Sequence, residues 1–188
     1  KHFSATRRAS KCWFEPSGTP MSAELPMNAQ EPLPEAAQRV AECLQALGHN
    51  QSITLLPATG RTSAEAADAL GCQVAEIAKS IVLRRLDDDA AVMVVASGAN
   101  RVDESKVAAL LGPVGKADAR FVKEQTGYSI GGVCPVGHPQ PLLMLVDADL
   151  LRFTHIWAAA GHPHAVFRLT PQELLTMTGA PAVDIALS

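Results

Sequence analysis

The chain has 188 residues, of which 47% are hydrophobic, so it is long enough to bury one sizeable core within a single domain. Charged residues make up only 19% and the formal net charge is −3, which excludes a general electrostatic attraction to nucleic acid. A nucleic-acid partner would therefore need a local basic face. The sequence has no apolar run near the roughly 20 residues that cross a bilayer and no apolar signal core at its start, so we expect a cytoplasmic protein.

Residues 1–33 show neither helical nor strand periodicity and contain Pro16, Pro20, Pro26 and Pro32 among scattered Gly and Ser. We interpret them as a flexible extension. The residues ahead of Met21 have a composition typical of vector-derived or upstream-translated sequence. Residues 34–188 are predicted to form a single domain.

Helices and strands are predicted to alternate from Pro34 onward. Apolar residues at helical spacing predict a first helix that ends at Gly48, and residues 53–56 are typical of a short strand. A second helix begins after Thr62 and stops at Gly71, and a short helix is predicted over residues 74–78. Residues 80–86 and 90–96 are rich in β-formers and flank three aspartates, which predicts a hairpin.

The second half of the chain continues the alternation. Asp103 is placed to cap a helix that stops at Gly112, and a short strand over 114–117 and a helix over 118–125 follow. Strands are predicted over 142–146, 156–159 and 165–169, and Pro171 opens a last helix that ends near Gly179. This irregular order with at least one hairpin favours a mixed α/β sheet over a doubly wound parallel fold.

Residues 127–141 hold four glycines and three prolines, more than a simple turn requires. The adjacent Gly131 and Gly132 allow backbone N–H groups to point into a cavity without a Cβ in the way, and Pro135 stiffens the loop. A fixed backbone of this kind can bind a carbonyl or ribose oxygen. The alternative is a rigid connecting loop without a ligand.

Lys79 is predicted at the junction of a helix and a strand, where its ammonium can reach a cleft and bind a phosphate or a developing negative charge. The alternative is a solvated surface charge. Ser80 has no His or Asp at the spacing of a nucleophilic triad. Cys134 has no visible activating partner in the sequence, so a packed thiol is favoured over a nucleophile.

The sequence predicts neither a metal site nor a cofactor. The four cysteines have no CxxC spacing, and no carboxylate or Cys lies close in sequence to His162 and His164, so these histidines indicate a loop near a pocket or a surface turn. Basic residues in the middle of the chain supply enough positive charge for a local basic face; the alternative is that they are solvated surface charges. These residues are Arg84, Arg85, Arg101, Lys106, Lys116, Arg120 and Lys123.

An ordered set of segments resembles the YbaK/EbsC family, the free-standing relatives of the editing insertion domain of bacterial prolyl-tRNA synthetase. The set covers about two thirds of the chain. Each segment alone is a weak signal, whereas their order is specific. The segments are TSAEAADALGC, IAKSIVLR, VMVVASGANRVDESKVAALLG, KADARFVKEQTGYSIGGVCPVGHP, LLMLVDADLL, AAAGHPH and LTPQELLTMTGAPAVDI.

The resemblance implies a compact α/β domain whose mixed sheet is partly curled into a barrel. It implies trans-editing hydrolysis of the ester between an amino acid and the terminal adenosine of mischarged tRNA, with small residues such as Ala or Cys on tRNA-Pro as substrates. Aminoacyl-tRNA and prolyl-tRNA synthetase are the partners it suggests. The alternatives are a non-catalytic module that binds aminoacyl-tRNA or a nucleotide, and a structural or regulatory partner of a synthetase.

The resemblance also assigns roles to residues. Lys79 falls on the family's lysine, which would hold the terminal nucleotide and place the ester. Gly131-x-x-x-Pro135 falls on the family's GxxxP loop, whose backbone, including Gly132 and Val133, would bind around the substrate carbonyl. Gly161 and His164 are expected at the pocket wall, with His164 as a candidate size filter or, alternatively, a solvent-facing histidine. We expect hydrolysis without a covalent enzyme intermediate.

Overall fold

The computed structural model describes residues 32–57 and 62–187. Most of the predicted extension lies outside these residues, so its flexibility and its boundary at residue 33 stay predictions. The described helices are α1 Glu35–Ala46, α2 Ser63–Leu70, α3 Glu104–Leu111, α4 Ala119–Thr126 and α5 Pro171–Thr178. The described strands are β1 Thr54–Leu55, β2 Ile77–Arg85, β3 Ala91–Ser97, β4 Val114–Lys116, β5 Leu143–Asp147, β6 Ile156–Ala159, β7 Ala165–Leu169 and β8 Ala182–Val183.

Local capping signals set the ends of the helices as predicted. The Thr62 hydroxyl accepts a hydrogen bond from Glu65 N at 3.2 Å, and the Glu65 carboxylate accepts one from Thr62 N at 3.0 Å. Thr170 and Glu173 repeat this capping box at the start of α5. Gly71 ends α2 in the left-handed conformation, with φ of 65°, which glycine adopts without the steric penalty of a Cβ.

The predicted helix over 74–78 is wrong in its second half. Residues Val74–Glu76 form one 3₁₀ turn, and Ile77 already begins β2. Ile77 and Ala78 pair with β6 on one side, and Ala78 pairs with Ser97 of β3 on the other. Pairing with two neighbouring strands satisfies the backbone here and overrides the helical spacing. Lys79 therefore lies inside a strand.

The strands form a mixed sheet, which confirms the predicted fold class. The order is β1-β7-β6-β2-β3-β5-β8, and β4 also pairs with β2. The β2–β3 hairpin is antiparallel, while β2–β6, β3–β5 and β5–β8 are parallel. Among the described strands β1 and β8 do not pair with each other, so the sheet stays open and the expected curl does not reach a closed barrel.

Strand β3 is buried along its whole length and separates two cores. Met93 and Val95 point into the larger core, which also holds Phe167, and Val92 and Val94 point to the opposite face. This division follows from the alternation of side chains along a strand. A third, smaller apolar cluster lies where α2 packs on the sheet, and it comprises Leu56, Ala66, Ala67, Ile77 and Val166.

Within residues 32–57 and 62–187, each helix is too short or too polar to cross a membrane.

Candidate functional site

One edge of β2 is interrupted by a gap. Strand β6 pairs with residues 77–78 and β4 pairs with residues 83–85 on this edge, so within the described sheet residues 79–82 have no strand beside them there. The backbone N–H of Leu86 donates a hydrogen bond on the β4 side of β2, whereas the N–H of Arg85 donates one on the β3 side. Because these directions alternate along a strand, the backbone N–H and C=O of Ser80 point into the gap.

A cleft of about 140 Å³ opens at this gap. The unpaired edge of β2, an apolar wall and a polar side enclose this cleft. The apolar wall is the α2 cluster extended by Trp157, and the polar side combines the start of α2 with the start of β2. The lining includes Leu56, Ile77, Trp157, Ala159 and Val166 on the apolar wall, Thr62, Ser63, Lys79 and Ser80 on the polar side, and Gly131, Val133 and Pro163 at the glycine-rich loop.

Lys79 places a half-buried ammonium at the cleft. Its Nζ donates to the carbonyl oxygens of Gly98 at 3.2 Å and Asn100 at 2.5 Å. An ammonium has three N–H donors, so one remains for a ligand. Burial lowers the pKa of Lys79, and the negative charge of Asp147 partly opposes this shift. The site therefore offers a partly desolvated cation, which binds an anionic or polar group more strongly than a fully hydrated one.

A polar network behind Lys79 was not predicted from the sequence. The carboxylate of Asp147 is 1% exposed and accepts hydrogen bonds from Ser97 N at 3.1 Å and Asn100 Nδ2 at 2.8 Å. Asn100 Nδ2 also donates to Asp149 at 2.8 Å. Asn100 and Asp147 are 47 positions apart, so no local motif joins them. The one available signal was an aspartate that directly follows an apolar strand.

The glycine-rich loop forms the opposite rim of the cleft. Gly131 has φ of +91°, a conformation that favours glycine. A Cβ on Gly132 would stand 2.7 Å from the backbone of His162, so only glycine permits this close approach. Below the rim, the Tyr128 hydroxyl lies 3.0 Å and 3.1 Å from the carbonyl oxygens of Val136 and Gly137. These contacts fix the loop, as its composition predicted.

Cys134 is fully buried within this loop, and burial raises the pKa of its thiol well above the usual range. A neutral, enclosed thiol is a poor nucleophile. The structure thus agrees with the predicted packed thiol.

Replacing Cys134 with alanine is therefore expected to change kcat/KM for the ester hydrolysis that the resemblance implies by less than about threefold, since the expected reaction has no covalent enzyme intermediate. Initial rates should be compared at matched folded fractions, because the lost sulfur leaves a small cavity. Intact-protein mass spectrometry should show no iodoacetamide adduct on Cys134 under native conditions. Loss of activity in a folded C134A variant would contradict this expectation.

The cleft brings together some of the predicted site residues. Lys79, Gly131 and Val133 line it. Gly132 and Pro135 are buried within the same loop and are not among the lining residues, and Gly132 N donates to Ser129 O at 3.0 Å. Gly161 is buried, and a Cβ there would stand 2.8 Å from Ala36 O of α1, which indicates a packing role.

His164 is half-buried and is not among the residues that line the cleft. Its backbone oxygen accepts a hydrogen bond from Leu56 N at 2.6 Å. Its Nδ1 is buried without a hydrogen-bond partner in the described part of the chain. The neighbouring Pro163 reaches the cleft instead. The role of His164 as a size filter stays a prediction.

Most of the predicted basic residues are paired with acidic groups, which favours the solvated-surface alternative for them. The described ion pairs are Arg84–Asp89 at 2.6 Å, Arg85–Asp88 at 2.6 Å, Lys106–Asp184 at 2.9 Å and Arg120–Glu124 at 3.5 Å. Lys123 Nζ donates to Gly127 O. Within the described ranges, no three His, Cys, Asp or Glu side chains are grouped so that they could hold a metal ion.

Comparisons with known proteins identify the family of this chain. An uncharacterized Bacillus subtilis (strain 168) protein, YwhH, is 32% identical over 123 residues, which is 65% of this chain and 78% of the relative. The crystal structure of a protein proposed to be a trans-editing enzyme for prolyl-tRNA synthetase is 42% identical, with a TM-score of 0.80 over 84% of this chain and 100% of the other. A second crystal structure, of a hypothetical protein, is 33% identical with a TM-score of 0.73, covering 79% and 99% of the two chains. The family model of the aminoacyl-tRNA editing domain matches residues 58–177, and the chain therefore belongs to that family.

Proposed function

We propose that this chain is a trans-acting deacylase that hydrolyses the ester between a small amino acid and the terminal adenosine of mischarged tRNA. The observation that carries the proposal is the cleft itself. It combines the spare donor of Lys79 with the exposed backbone of a fixed glycine loop, on a domain of the aminoacyl-tRNA editing family.

The cleft supplies what ester hydrolysis needs. Water adds to the ester carbonyl carbon, negative charge develops on the carbonyl oxygen, and the bond to the ribose oxygen then breaks as that oxygen takes a proton. Backbone groups at Gly131, Val133 and Ser80 bind around the carbonyl, while Lys79 holds polar groups of the terminal nucleotide. Because an aminoacyl ester is already activated, positioning it beside water, or beside a nucleophile of the substrate itself, supplies much of the rate.

The apolar wall accounts for the choice of a small amino acid. Ala159 pairs with Val166 of β7 and lines the cleft just beyond the point where β6 stops pairing with β2. Ala159 is a small residue of the apolar wall, so a larger side chain at this position would take up part of the cleft. A pocket of this kind distinguishes residues that differ by one methylene by about 1 to 3 kcal/mol. Alanyl or cysteinyl esters on tRNA-Pro fit this proposal.

A panel of charged tRNAs tests both activity and specificity. Release of labelled alanine, cysteine, serine and proline is measured for the natural chain and for Ala159→Val. The natural chain is expected to release at least one small amino acid well above the spontaneous rate. A159V is expected to lose about tenfold or more on the larger of the accepted residues and less on the smallest, because its methyl groups occupy the cleft.

The control is Ala109→Val, an exposed position on α3 that lies away from the cleft. Equal losses on every substrate in A159V would contradict the role in size selection. If the natural chain releases no amino acid above background, the catalytic proposal is wrong, and the binding-module alternative is then tested by filter binding of the same tRNAs.

We also propose prolyl-tRNA synthetase as a partner for tRNA selection. The net charge is negative, and most of the basic side chains between Arg84 and Lys123 are paired with acidic groups. The domain alone therefore has few unpaired positive charges that could bind the tRNA backbone. Sedimentation of the domain with the synthetase and tRNA should then show a ternary complex, and its absence would count against the partner.

A further inference from the structure

A buried carboxylate stands behind the cleft lysine without a direct cationic partner. Asp147 is 1% exposed, and none of the ion pairs among the described residues includes it. Its oxygens instead accept N–H groups from Ser97, Asn100 and Asp149. Burying a charge in this way is costly for folding, so a compensating use of the charge is expected.

Asn100 links this carboxylate to the cleft. Its amide donates to Asp147 and Asp149, both at 2.8 Å, which uses both N–H groups of Nδ2. Its backbone carbonyl accepts the shorter of the two hydrogen bonds from Lys79 Nζ. The side chain therefore anchors the residue, and the anchored backbone fixes the position of the ammonium.

The charge of Asp147 acts on Lys79 as well. Burial favours the neutral amine and lowers the pKa of Lys79, whereas Asp147 favours the charged form and raises it. Asn100 lies between the carboxylate and the ammonium, so the charge of Asp147 stabilises the cation without direct contact. A protonated Lys79 keeps its third donor for the substrate.

Further charged groups lie on the elements around Lys79. Glu65 on α2 and Glu76 in the 3₁₀ turn each accept a backbone N–H of their own capping box, and Asp149 lies at 3.6 Å from Arg152. Arg101 follows Asn100 and is exposed, and His162 lies behind Gly132. Asp147 is the acidic group that acts on the charge of Lys79.

We propose that Asp147 is a positioning residue for the deacylation: through Asn100 it fixes the place and the charge of the cleft lysine. This inference rests on the proposed function for its kinetic consequence, whereas its structural consequence is measurable without turnover. Asp147 touches neither the substrate nor the reacting atoms, so it acts only through Lys79.

Three variants of the full chain separate the two effects. Asp147→Asn removes the charge, and Asn100→Ala removes the anchor but keeps both the charge and the backbone carbonyl. Asp184→Asn is the control, because Asp184 is an exposed carboxylate that pairs with Lys106 and does not line the cleft. Folding is checked by thermal unfolding. D147N and N100A are each expected to lower kcat/KM about tenfold, and D184N by less than about threefold.

The pH dependence distinguishes positioning from a merely structural role. With D147N, the alkaline limb of the kcat/KM profile should move to lower pH, because Lys79 loses the charge that favours its protonated form. Competitive labelling with acetic anhydride, read by mass spectrometry of the peptide that contains Lys79, should show the same direction of shift without any substrate. With N100A, the pH of the alkaline limb should shift less than with D147N, because the charge of Asp147 remains. The labelling rate of Lys79 relative to the exposed Lys116 should rise, because the anchor is lost.

The outcomes decide the inference. A folded D147N whose limb and labelling midpoint equal those of the natural chain overturns it. If D147N does not fold, N100A decides: an unchanged Lys79 labelling rate relative to Lys116 overturns the inference, and a raised rate supports it. If the natural chain releases no amino acid, the proposed function fails, and the labelling result still decides whether Asp147 sets the state of Lys79.

Discussion

Replacing Lys79 with alanine is expected to lower kcat/KM for deacylation by about a hundredfold or more, because the cleft loses its desolvated cation. Two of its N–H donors are held by the carbonyl oxygens of Gly98 and Asn100, so the ammonium is positioned before substrate arrives. The loss should appear in single-turnover rates with charged tRNA as well as in kcat/KM. Such preorganised charge contributes more than a mobile surface lysine.

The matched control for this substitution is Lys116→Ala. Lys116 is an exposed lysine of β4, the other strand that pairs with this edge of β2. Its removal should leave kcat/KM within about twofold, as expected for a solvated charge. A folded K79A variant that keeps more than a third of the natural rate would contradict the assignment of Lys79.

Replacing Gly132 with alanine is expected to reduce kcat/KM by about a hundredfold and to destabilise the fold by about 1 to 3 kcal/mol. The added Cβ would stand 2.7 Å from the carbonyl carbon and Cα of His162 and 2.8 Å from its N. These are backbone atoms, so relief requires the loop to move away from the turn that carries Pro163. That movement displaces Gly131 and Val133 from the cleft. Denaturant unfolding and the deacylation assay measure the two effects separately.

Gly115→Ala is the corresponding control. Its Cβ would meet only the side chain of Leu86, at 3.2 Å, and Leu86 is exposed and free to turn aside. The control should keep the natural rate, and its stability should change by less than about 1 kcal/mol. If G132A retained full activity, the close approach of the loop to His162 would not be what shapes the cleft.

The amino-acid composition of the glycine-rich loop predicted part of the site. Four glycines and three prolines in fifteen residues predicted a rigid loop with an open backbone, and Gly131 and Val133 do line the cleft. The resemblance, and not composition, placed Gly161 and His164 at the pocket wall. Gly161 packs closely against α1, because a positive φ and lack of a Cβ serve close packing as well as ligand binding, and its role at the pocket wall stays a prediction. Composition alone does not separate these two uses.

The sequence by itself determined the features that depend on neighbouring residues. Thr62 with Glu65 and Thr170 with Glu173 form their capping boxes within one turn, and Gly71 and Gly179 end their helices, so those boundaries follow from local hydrogen bonds and backbone sterics. The mixed sheet and the family were also predicted from the sequence, because the order of apolar segments and the order of the motifs are properties of the chain itself.

Only the tertiary structure decided where the site lies and what supports it. Strand β2 begins at Ile77 because β3 and β6 pair there, and the gap that opens the cleft exists because β6 and β4 share one edge of that strand. The hydrogen bonds from Lys79 to Asn100 and from Asn100 to Asp147 join residues 21 and 47 positions apart. Such contacts depend on strand order and register, which distant backbone pairing fixes and no short segment encodes.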